Sequence, residues 1–258
     1  MKAVILAAGF ATRLRPITDD LPKSLLSLCG RTVIDEQVDK LVSTERIDDI
    51  FVVTNAKFYG PMEKWRESSV YRDKIKIIND GVTREESKRG AIGTLKFCMD
   101  EVQIADDFLV LGSDNLFEDT FDGIINFFYQ KQGCPVVAIH HIDNTNLSRQ
   151  SSEVVLEPDT GRVTTFVEKP ANPKSPYLSS LLYVMSLTIL REVGSYLNSG
   201  SSPDNIGNFI AWLVSRNFPV FGYKTNGRRF DIGDHQSYAS TVSLYPCRKR
   251  DYASVELS

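Results

Sequence analysis

The stretch 4–26, which reads VILAAGFATRLRPITDDLPKSLL, decides how the rest of the chain is interpreted. Its apolar start has the length and composition of a strand buried on both faces. The alanines and the glycine that follow let backbone N–H groups approach an anionic ligand closely. Thr12 adds a hydroxyl donor, and Arg13 and Lys23 add two cations. The stretch therefore predicts a loop that holds a polyphosphate.

Composition and charge limit the class of protein. The chain has 258 residues, of which 42% are hydrophobic and 24% charged, so it can bury a sizeable core like an ordinary globular protein. The formal net charge of -3 argues against bulk nucleic-acid binding. No apolar run approaches the ~20 residues that a membrane helix needs, and Met1 runs almost directly into the first strand, which leaves no room for a signal peptide. We therefore expect a cytoplasmic protein without a membrane or nucleic-acid partner.

The four cysteines form no C-x-x-C pair and have no spacing suited to zinc. They are Cys29, Cys98, Cys134 and Cys247. We expect all of them to be buried free thiols in a reducing cytosol.

The first half of the chain alternates between strand-like and helix-like patterns. Further strands are predicted over 50–54, 74–78, 108–111 and 135–139, and helices over 33–42, 58–67, 121–130 and from Gly90 onward. Thr32 is the predicted N-cap of the first helix, and Trp65 is a predicted core residue. This alternation indicates an α/β fold with a Rossmann-like mixed, mainly parallel sheet flanked by helices.

From Glu153 onward the pattern changes to an antiparallel one. The turn Asp159-Thr160-Gly161 predicts a hairpin between 154–156 and 163–167, followed by a strand over 177–185. Helices are predicted over 187–197, 206–214 and 236–244, and short strands over 220–223 and 229–232 around a turn at Asn226-Gly227. We therefore expect a single domain over 1–245, with a small antiparallel insert at about 153–185 and a frayed polar tail over 246–258.

Carboxylates follow two of the predicted strands. In open α/β sheets, ligands gather beyond the carboxyl ends of the strands. Asp114 comes just after the strand 108–111, and Asp231 lies at the end of a later short strand. Mg²⁺ prefers one or two carboxylates together with phosphate oxygens and waters. We therefore predict that both aspartates hold Mg²⁺ beside the phosphate loop.

Four segments in this order resemble the sugar-1-phosphate nucleotidylyltransferases, with the closest likeness to glucose-1-phosphate thymidylyltransferase and its short relatives. The segments are L-A-A-G-x-x-T-R-L-x-P-x-T with P-K-x-L-L behind it, Asp114-Asn115, Glu168-Lys169-Pro170, and Phe230-Asp231-Ile232-Gly233. The resemblance covers nearly the whole chain. It implies Mg²⁺-dependent joining of a nucleoside triphosphate, with dTTP or UTP favoured, to a sugar 1-phosphate, and a possible homo-oligomer.

The resemblance also implies roles for individual residues. Arg13, Lys23 and Asp114 would be catalytic, and Asp114 and Asp231 would bind the metal. The nucleotide would contact Leu6, Ala8, Gly9, Thr12, Arg13, Lys23, Asn79 and Gly90. The sugar phosphate, on the side walled by the antiparallel insert, would contact Asn115, Glu153, Glu168, Lys169, Tyr183 and Arg229.

Several residues depart from the family pattern. Ala11 stands where the loop usually has glycine, Glu153 and Leu181 stand where the sugar pocket commonly has glycine, and Arg229 often corresponds to tryptophan. These departures leave two alternatives open: a cytidylyltransferase for a phosphorylated alcohol such as phosphocholine, and a non-catalytic regulatory protein that binds a nucleotide sugar. A dinucleotide-dependent oxidoreductase is disfavoured because no G-x-G-x-x-G follows the first strand.

Overall fold

The computed structural model describes residues 1–103, 105–143 and 151–247. The strands are β1 (Lys2–Ala7), β2 (Ser27–Leu28), β3 (Arg31–Thr32), β4 (Asp49–Thr54), β5 (Ile75–Asn79), β6 (Phe108–Gly112), β7 (Asn115–Phe117), β8 (Val136–His141), β9 (Ser152–Leu156), β10 (Val163–Glu168), β11 (Tyr177–Met185), β12 (Phe221–Lys224) and β13 (Arg229–Asp231). The helices are α1 (Val33–Ser43), α2 (Tyr59–Ser68), α3 (Gly90–Val102), α4 (Asp122–Gln130), α5 (Leu187–Asn198), α6 (Ile206–Ser215) and α7 (His235–Leu244).

A nine-stranded mixed sheet forms the centre of the described fold. Its main path runs β10-β9-β11-β6-β1-β4-β5, and β8 and β12 attach beside β11. Strands β6, β1, β4 and β5 are parallel, whereas β11 runs antiparallel to β6. The predicted α/β class with a mixed sheet is confirmed. The antiparallel segment is more than an insert beside the site, because β9, β10 and β11 pair into the central sheet itself.

Helices cover both faces of this sheet and bury two separate apolar cores. One face packs against α1, α2 and α4, with Ile34, Trp65 and Phe128 in the shared core. The other face packs against α3, α5 and α6, where Leu95 and Phe209 are fully buried. Burying one large aliphatic or aromatic side chain contributes roughly 1.5–3 kcal/mol, so these two faces supply most of the driving force for the layered arrangement.

The N-terminus of α1 is stabilised as the sequence predicts. The Thr32 hydroxyl accepts the backbone N–H of Asp35, and the Asp35 carboxylate accepts the backbone N–H of Thr32. The same carboxylate accepts the indole N–H of Trp65 at 2.9 Å. Trp65 is buried as expected, and this bond satisfies its one polar group.

The two short strands predicted around the turn at Asn226-Gly227 are present but do not pair with each other. β12 pairs in parallel with β8, and β13 pairs antiparallel with β7. The reason is the Asp119 carboxylate, which accepts the N–H groups of Asn226 and Gly227 and holds this connection against the end of β7. The turn therefore joins two sheets.

The cysteine prediction is wrong for two of the four residues. Cys29 and Cys247 form a disulfide with a Cα–Cα distance of 5.5 Å, whereas Cys98 and Cys134 are free. Burial raises the pKa of the Cys98 thiol to about 12, so this thiol stays protonated. The spacing between Cys29 and Cys247 carries no sign of pairing, because only the packing of α7 against β2 and β3 brings them together. The tail predicted to fray from 246 is tied down at Cys247, and 248–258 lie outside the described residues.

The described helices were compared with the length and apolar character of a membrane span. No helix in the described ranges combines the length and apolar character needed to cross a bilayer.

Removal of the disulfide tests this part of the fold. Because a bridge across 218 residues restricts the unfolded chain strongly, Cys247→Ser should lower the free energy of unfolding by about 2–5 kcal/mol without reductant. Urea unfolding measures this loss, and Cys134→Ser is the control because Cys134 is a free thiol. Thiol titration of the denatured, unreduced wild-type protein should find two free thiols. Four free thiols, together with a Cys247→Ser variant as stable as wild type, would contradict the Cys29–Cys247 pairing.

Candidate active site

A cavity of about 330 Å³ opens where β1, β5 and β6 end. Seven residues that the sequence assigned to nucleotide, metal or acceptor binding line this cavity. They are Leu6, Ala8, Gly9, Lys23, Gly90, Asp114 and Lys169. Leu181, which the resemblance places in the sugar pocket, also lines the cavity, and so do Asp80, Lys88, Arg89, Thr94 and Ser113, to which the sequence assigned no role. The loop predicted to bind phosphate and the turn that carries Asp114 therefore meet at one edge of the sheet, as the strand order requires.

The loop after β1 presents unused backbone donors. Its carbonyl groups are engaged, since Asn55 Nδ2 donates to Ala8 O and the Thr18 hydroxyl donates to Ala11 O. The N–H groups of residues 9–11 make no hydrogen bond within the described ranges. A Cβ on Gly9 would have no protein atom within 4 Å, so packing within the protein does not require a glycine at this position. The small residue instead leaves space for a ligand. The loop has the donor arrangement of an anion-binding nest.

Ala11 lies in the left-handed backbone region, with φ of 50°. This conformation explains why the family pattern has glycine at the position, because a Cβ destabilises it by about 1–2 kcal/mol. The short 3-10 turn Thr12–Leu14 starts directly after it. Thr12 is partly buried in that turn, and Arg13 is exposed with its guanidinium beside Gly233.

Five side chains form a continuous polar chain, which we call the charged network. Lys23 Nζ donates to Asp114 Oδ2 at 2.5 Å, and Asn115 Nδ2 donates to Asp114 Oδ1 at 2.7 Å. Arg229 Nε donates to Asn115 Oδ1 at 2.6 Å, and Arg229 Nη2 donates to Asp231 Oδ1 at 3.0 Å. The network therefore links the two aspartates that the sequence predicted as metal ligands.

The charges of this network shift the two aspartates in opposite directions. Burial alone would raise the pKa of Asp114, but the Lys23 ammonium and the Arg229 guanidinium hold that pKa below its ordinary value. Burial raises the pKa of Asp231, and the negative charge of Asp114 raises it further. The two carboxylates therefore repel each other, and Lys23 and Arg229 supply the positive charge that offsets this repulsion.

The turn that carries Asp114 is held from below by α1. Gln37 is buried, and its Nε2 donates to Gly112 O and to Asn115 O, both at 2.8 Å. These carbonyls flank Asp114 on either side. Gln37 was not predicted as a supporting residue. The one signal in the sequence is that an amide side chain stands on the apolar face of α1, where a buried polar group needs a hydrogen-bond partner.

A third, smaller apolar core joins the segments that carry the network. It contains Leu26 next to the Lys23 segment, Leu116 after Asp114, and Phe230 and Ile232 on either side of Asp231. The disulfide closes the same region by fixing the end of α7 to the β2–β3 turn.

Four predicted binding residues have their polar groups engaged elsewhere. The Glu153 carboxylate accepts the backbone N–H groups of Lys174 and Ser175, so it holds this loop and we leave it out of the site. The amide oxygen of Asn79 accepts the N–H of Gly81, and Asn79 is exposed. The remaining two polar groups are also paired: the Glu168 carboxylate accepts the Ser152 hydroxyl, and the hydroxyl of buried Tyr183 is 3.2 Å from that of Ser179.

Comparison with known proteins gives one family. A family model described as nucleotidyl transferase matches residues 2–246. Mannose-1-phosphate guanyltransferase beta-B of Xenopus laevis is 27% identical over 95% of this chain and 64% of its own length. The bifunctional protein GlmU of Methanocaldococcus jannaschii is 27% identical over 90% of this chain and 51% of its own length. The chain thus spans less than two thirds of these curated relatives.

Solved structures agree on the fold. UDP-glucose pyrophosphorylase complexed with UDP-glucose superimposes with a TM-score of 0.79 at 19% identity, covering 95% of this chain and 97% of that one. This likeness confirms the predicted fold class.

Substitution of Gln37 tests the support under Asp114. Gln37→Leu leaves two buried carbonyl groups without their donor, so the free energy of unfolding should fall by roughly 1–3 kcal/mol. Urea unfolding provides the measurement. Gln236→Leu, on the exposed side of α7, is the matched control and should change stability little. Equal midpoints for both variants would show that the turn does not depend on the amide.

Proposed function

Because the chain belongs to the nucleotidyl transferase family, we propose that it transfers a nucleotidyl group from a nucleoside triphosphate to a sugar 1-phosphate and releases pyrophosphate. The observation that carries this proposal is the charged network beside a loop of free N–H donors. The network supplies two carboxylates from strand ends and a lysine bonded to one of them. The loop supplies the donors that a triphosphate needs.

Catalysis of this reaction depends on how the two substrates are positioned and how their negative charge is stabilised. A phosphate oxygen of the sugar phosphate forms a bond to the α-phosphorus, and the bond from that phosphorus to the pyrophosphate oxygen breaks. The attacking oxygen is already an anion, so no general base is needed. The protein has to hold two anionic substrates together and stabilise the charge of the transferring group. In the proposed reaction Lys23 and Arg13 neutralise the triphosphate, and Lys169 binds the sugar phosphate.

The residues present fit a magnesium ion. Two mutually repelling carboxylates, Asp114 and Asp231, match the one or two carboxylates with which Mg²⁺ is usually held beside substrate phosphates. The described residues hold no group of three or more candidate ligands of the kind that forms an all-protein cage. When bound, Mg²⁺ would supply positive charge at the phosphate oxygens.

The base and the sugar are narrower proposals. The name of the Xenopus relative specifies mannose 1-phosphate and a guanylyl group, and that of the solved structure specifies UDP-glucose. The sequence resemblance favours dTTP or UTP. We therefore propose a sugar 1-phosphate as the acceptor class and include GTP, UTP and dTTP among the donors to be tested.

Pyrophosphate release tests the proposed reaction directly. Each of GTP, UTP, dTTP and CTP is incubated with Mg²⁺ and with mannose 1-phosphate, glucose 1-phosphate, N-acetylglucosamine 1-phosphate or phosphocholine. We expect pyrophosphate, together with a nucleoside-diphosphate sugar, from at least one triphosphate and sugar phosphate. Product only from CTP and phosphocholine would favour the alternative acceptor. Nucleotide-sugar binding without any product would favour the regulatory alternative.

A charge-removing variant tests the role of the network. Asp114→Asn should lower turnover by about 10²–10³-fold, because it removes charge at the transferring phosphate while keeping the shape of the side chain. Asp100→Asn is the matched control, since Asp100 is exposed on α3 and, within the described part of the chain, its ion pair is with Lys96. Near-normal turnover of Asp114→Asn would exclude Asp114 from the reaction.

A further inference from the structure

Asp80 is a buried carboxylate at the end of the cavity remote from the charged network. It directly follows β5, is 3% exposed and lines the cavity. In the sheet order β6-β1-β4-β5, β5 is three strands from β6, which corresponds to about 14 Å between the strand ends. Asp80 is therefore well placed to contact the part of a nucleotide that lies away from its phosphates.

The backbone and one carboxylate oxygen of Asp80 are held in place. Its N–H donates to Thr54 O at 2.9 Å, and its carbonyl accepts from Arg89 Nη2 at 3.0 Å. Its Oδ1 accepts the N–H of Val82 at 2.9 Å. These contacts fix the orientation of the carboxylate before any ligand arrives.

The second carboxylate oxygen, Oδ2, has no hydrogen-bond donor among the described residues. Burial raises the pKa of Asp80, against the effects of the Val82 N–H and the Arg89 charge. Because Asp80 lines the cavity, a carboxylate oxygen that accepts no hydrogen bond from the protein is open to a ligand donor there.

The first backbone N–H groups of α3 are already bonded within the protein. The first helical N–H groups of Ala91 and Ile92 donate to Asp204 O and Pro203 O. Gly90, with φ of 73°, permits this close contact, because a Cβ there would collide with the Pro203 backbone. Asp80 therefore offers an acceptor at this end of the cavity, whose lining also includes the cations Lys88 and Arg89.

We infer that Asp80 reads the nucleobase and selects guanine. This inference rests on the proposed function. An ionised carboxylate only accepts hydrogen bonds. Guanine presents two adjacent donors on its Watson–Crick edge, N1–H and the N2 amino group. Uracil and thymine present one N–H between two carbonyl oxygens, and cytosine and adenine present an amino group beside a ring nitrogen acceptor. Guanine is therefore the base that gives a carboxylate two donors without placing an acceptor against it.

In this proposal Asp80 contacts the base in place of Asn79, the residue expected from the sequence. Asn79 was the predicted base-facing residue, but successive residues of a strand point to opposite faces. The amide oxygen of Asn79 holds Gly81, whereas Asp80 lies on the cavity side.

Calorimetric titration with GTP, ITP, UTP and CTP tests the inference without catalysis. ITP lacks only the N2 amino group of GTP. Wild type should bind GTP about 10–100-fold more tightly than ITP or UTP, the range expected for a bidentate base contact. Asp80→Asn should remove that preference, because it keeps an oxygen for Val82 and turns an amino group toward the donors of guanine. Asp73→Asn, exposed at the other end of the β5 segment, is the matched control and should keep the preference.

The outcomes separate the inference from the proposed function. Equal affinities of wild type for GTP, ITP and UTP, or a guanine preference that persists in folded Asp80→Asn, would overturn the inference. The comparison of GTP with ITP uses wild type alone, so it remains decisive if the variant does not fold. Sugar-nucleotide synthesis from UTP without a guanine preference would overturn the inference and leave the proposed function intact. Selective GTP binding with no product from any sugar phosphate would support the inference and overturn the proposed function.

Discussion

The parallel pairing of β1 with β4 and β6 is the constraint on which the candidate site depends. In this register Leu6 lies opposite Gly112 and Ala7 lies opposite Thr54. Because parallel strands end at the same edge, the phosphate loop and the turn bearing Asp114 are brought side by side. The apolar helices on both faces hold that register, since a shift by one residue would move each side chain of a strand to the opposite core, where it does not fit.

The charged network adds an electrostatic constraint to this geometry. Two carboxylates face two cations within it, so their charges balance and the mutual repulsion of Asp114 and Asp231 is offset. Arg13 and Lys169 lie outside this balance, one near Asp231 and one on the cavity wall. They are the cations that would meet the anionic substrates of the proposed reaction.

The segments that carry the network need rigid support, because they come from distant parts of the chain. Leu26, Leu116 and Phe230 pack into one small core, and Gln37 fixes the turn around Asp114. The disulfide ties the end of α7 to the same region. A site that depends on the placement of charges benefits from such packing, because small displacements weaken electrostatic contacts strongly.

The sequence by itself determined most of the helices and the strands of the central sheet, the α/β class, and the segments that carry the two aspartates and the loop predicted to bind phosphate; it did not indicate the short strands β2, β3 and β7. These features follow from hydrophobic period, capping residues such as Thr32, and small residues in a loop, all of which act over a few neighbouring positions. It also identified Lys23, Asp114 and Gly90 as residues that line one cavity, because the edge at which parallel strands end is a general property of such sheets.

Only the tertiary structure decided which side chains are free to meet a ligand. Glu153 is engaged by Lys174 and Ser175, whereas Oδ2 of Asp80, the residue after the predicted Asn79, accepts no hydrogen bond from the described residues. The Cys29–Cys247 pairing and the separate partners of β12 and β13 were undetermined for the same reason. Each depends on contacts between residues far apart in sequence, and no local pattern encodes the packing that brings them together.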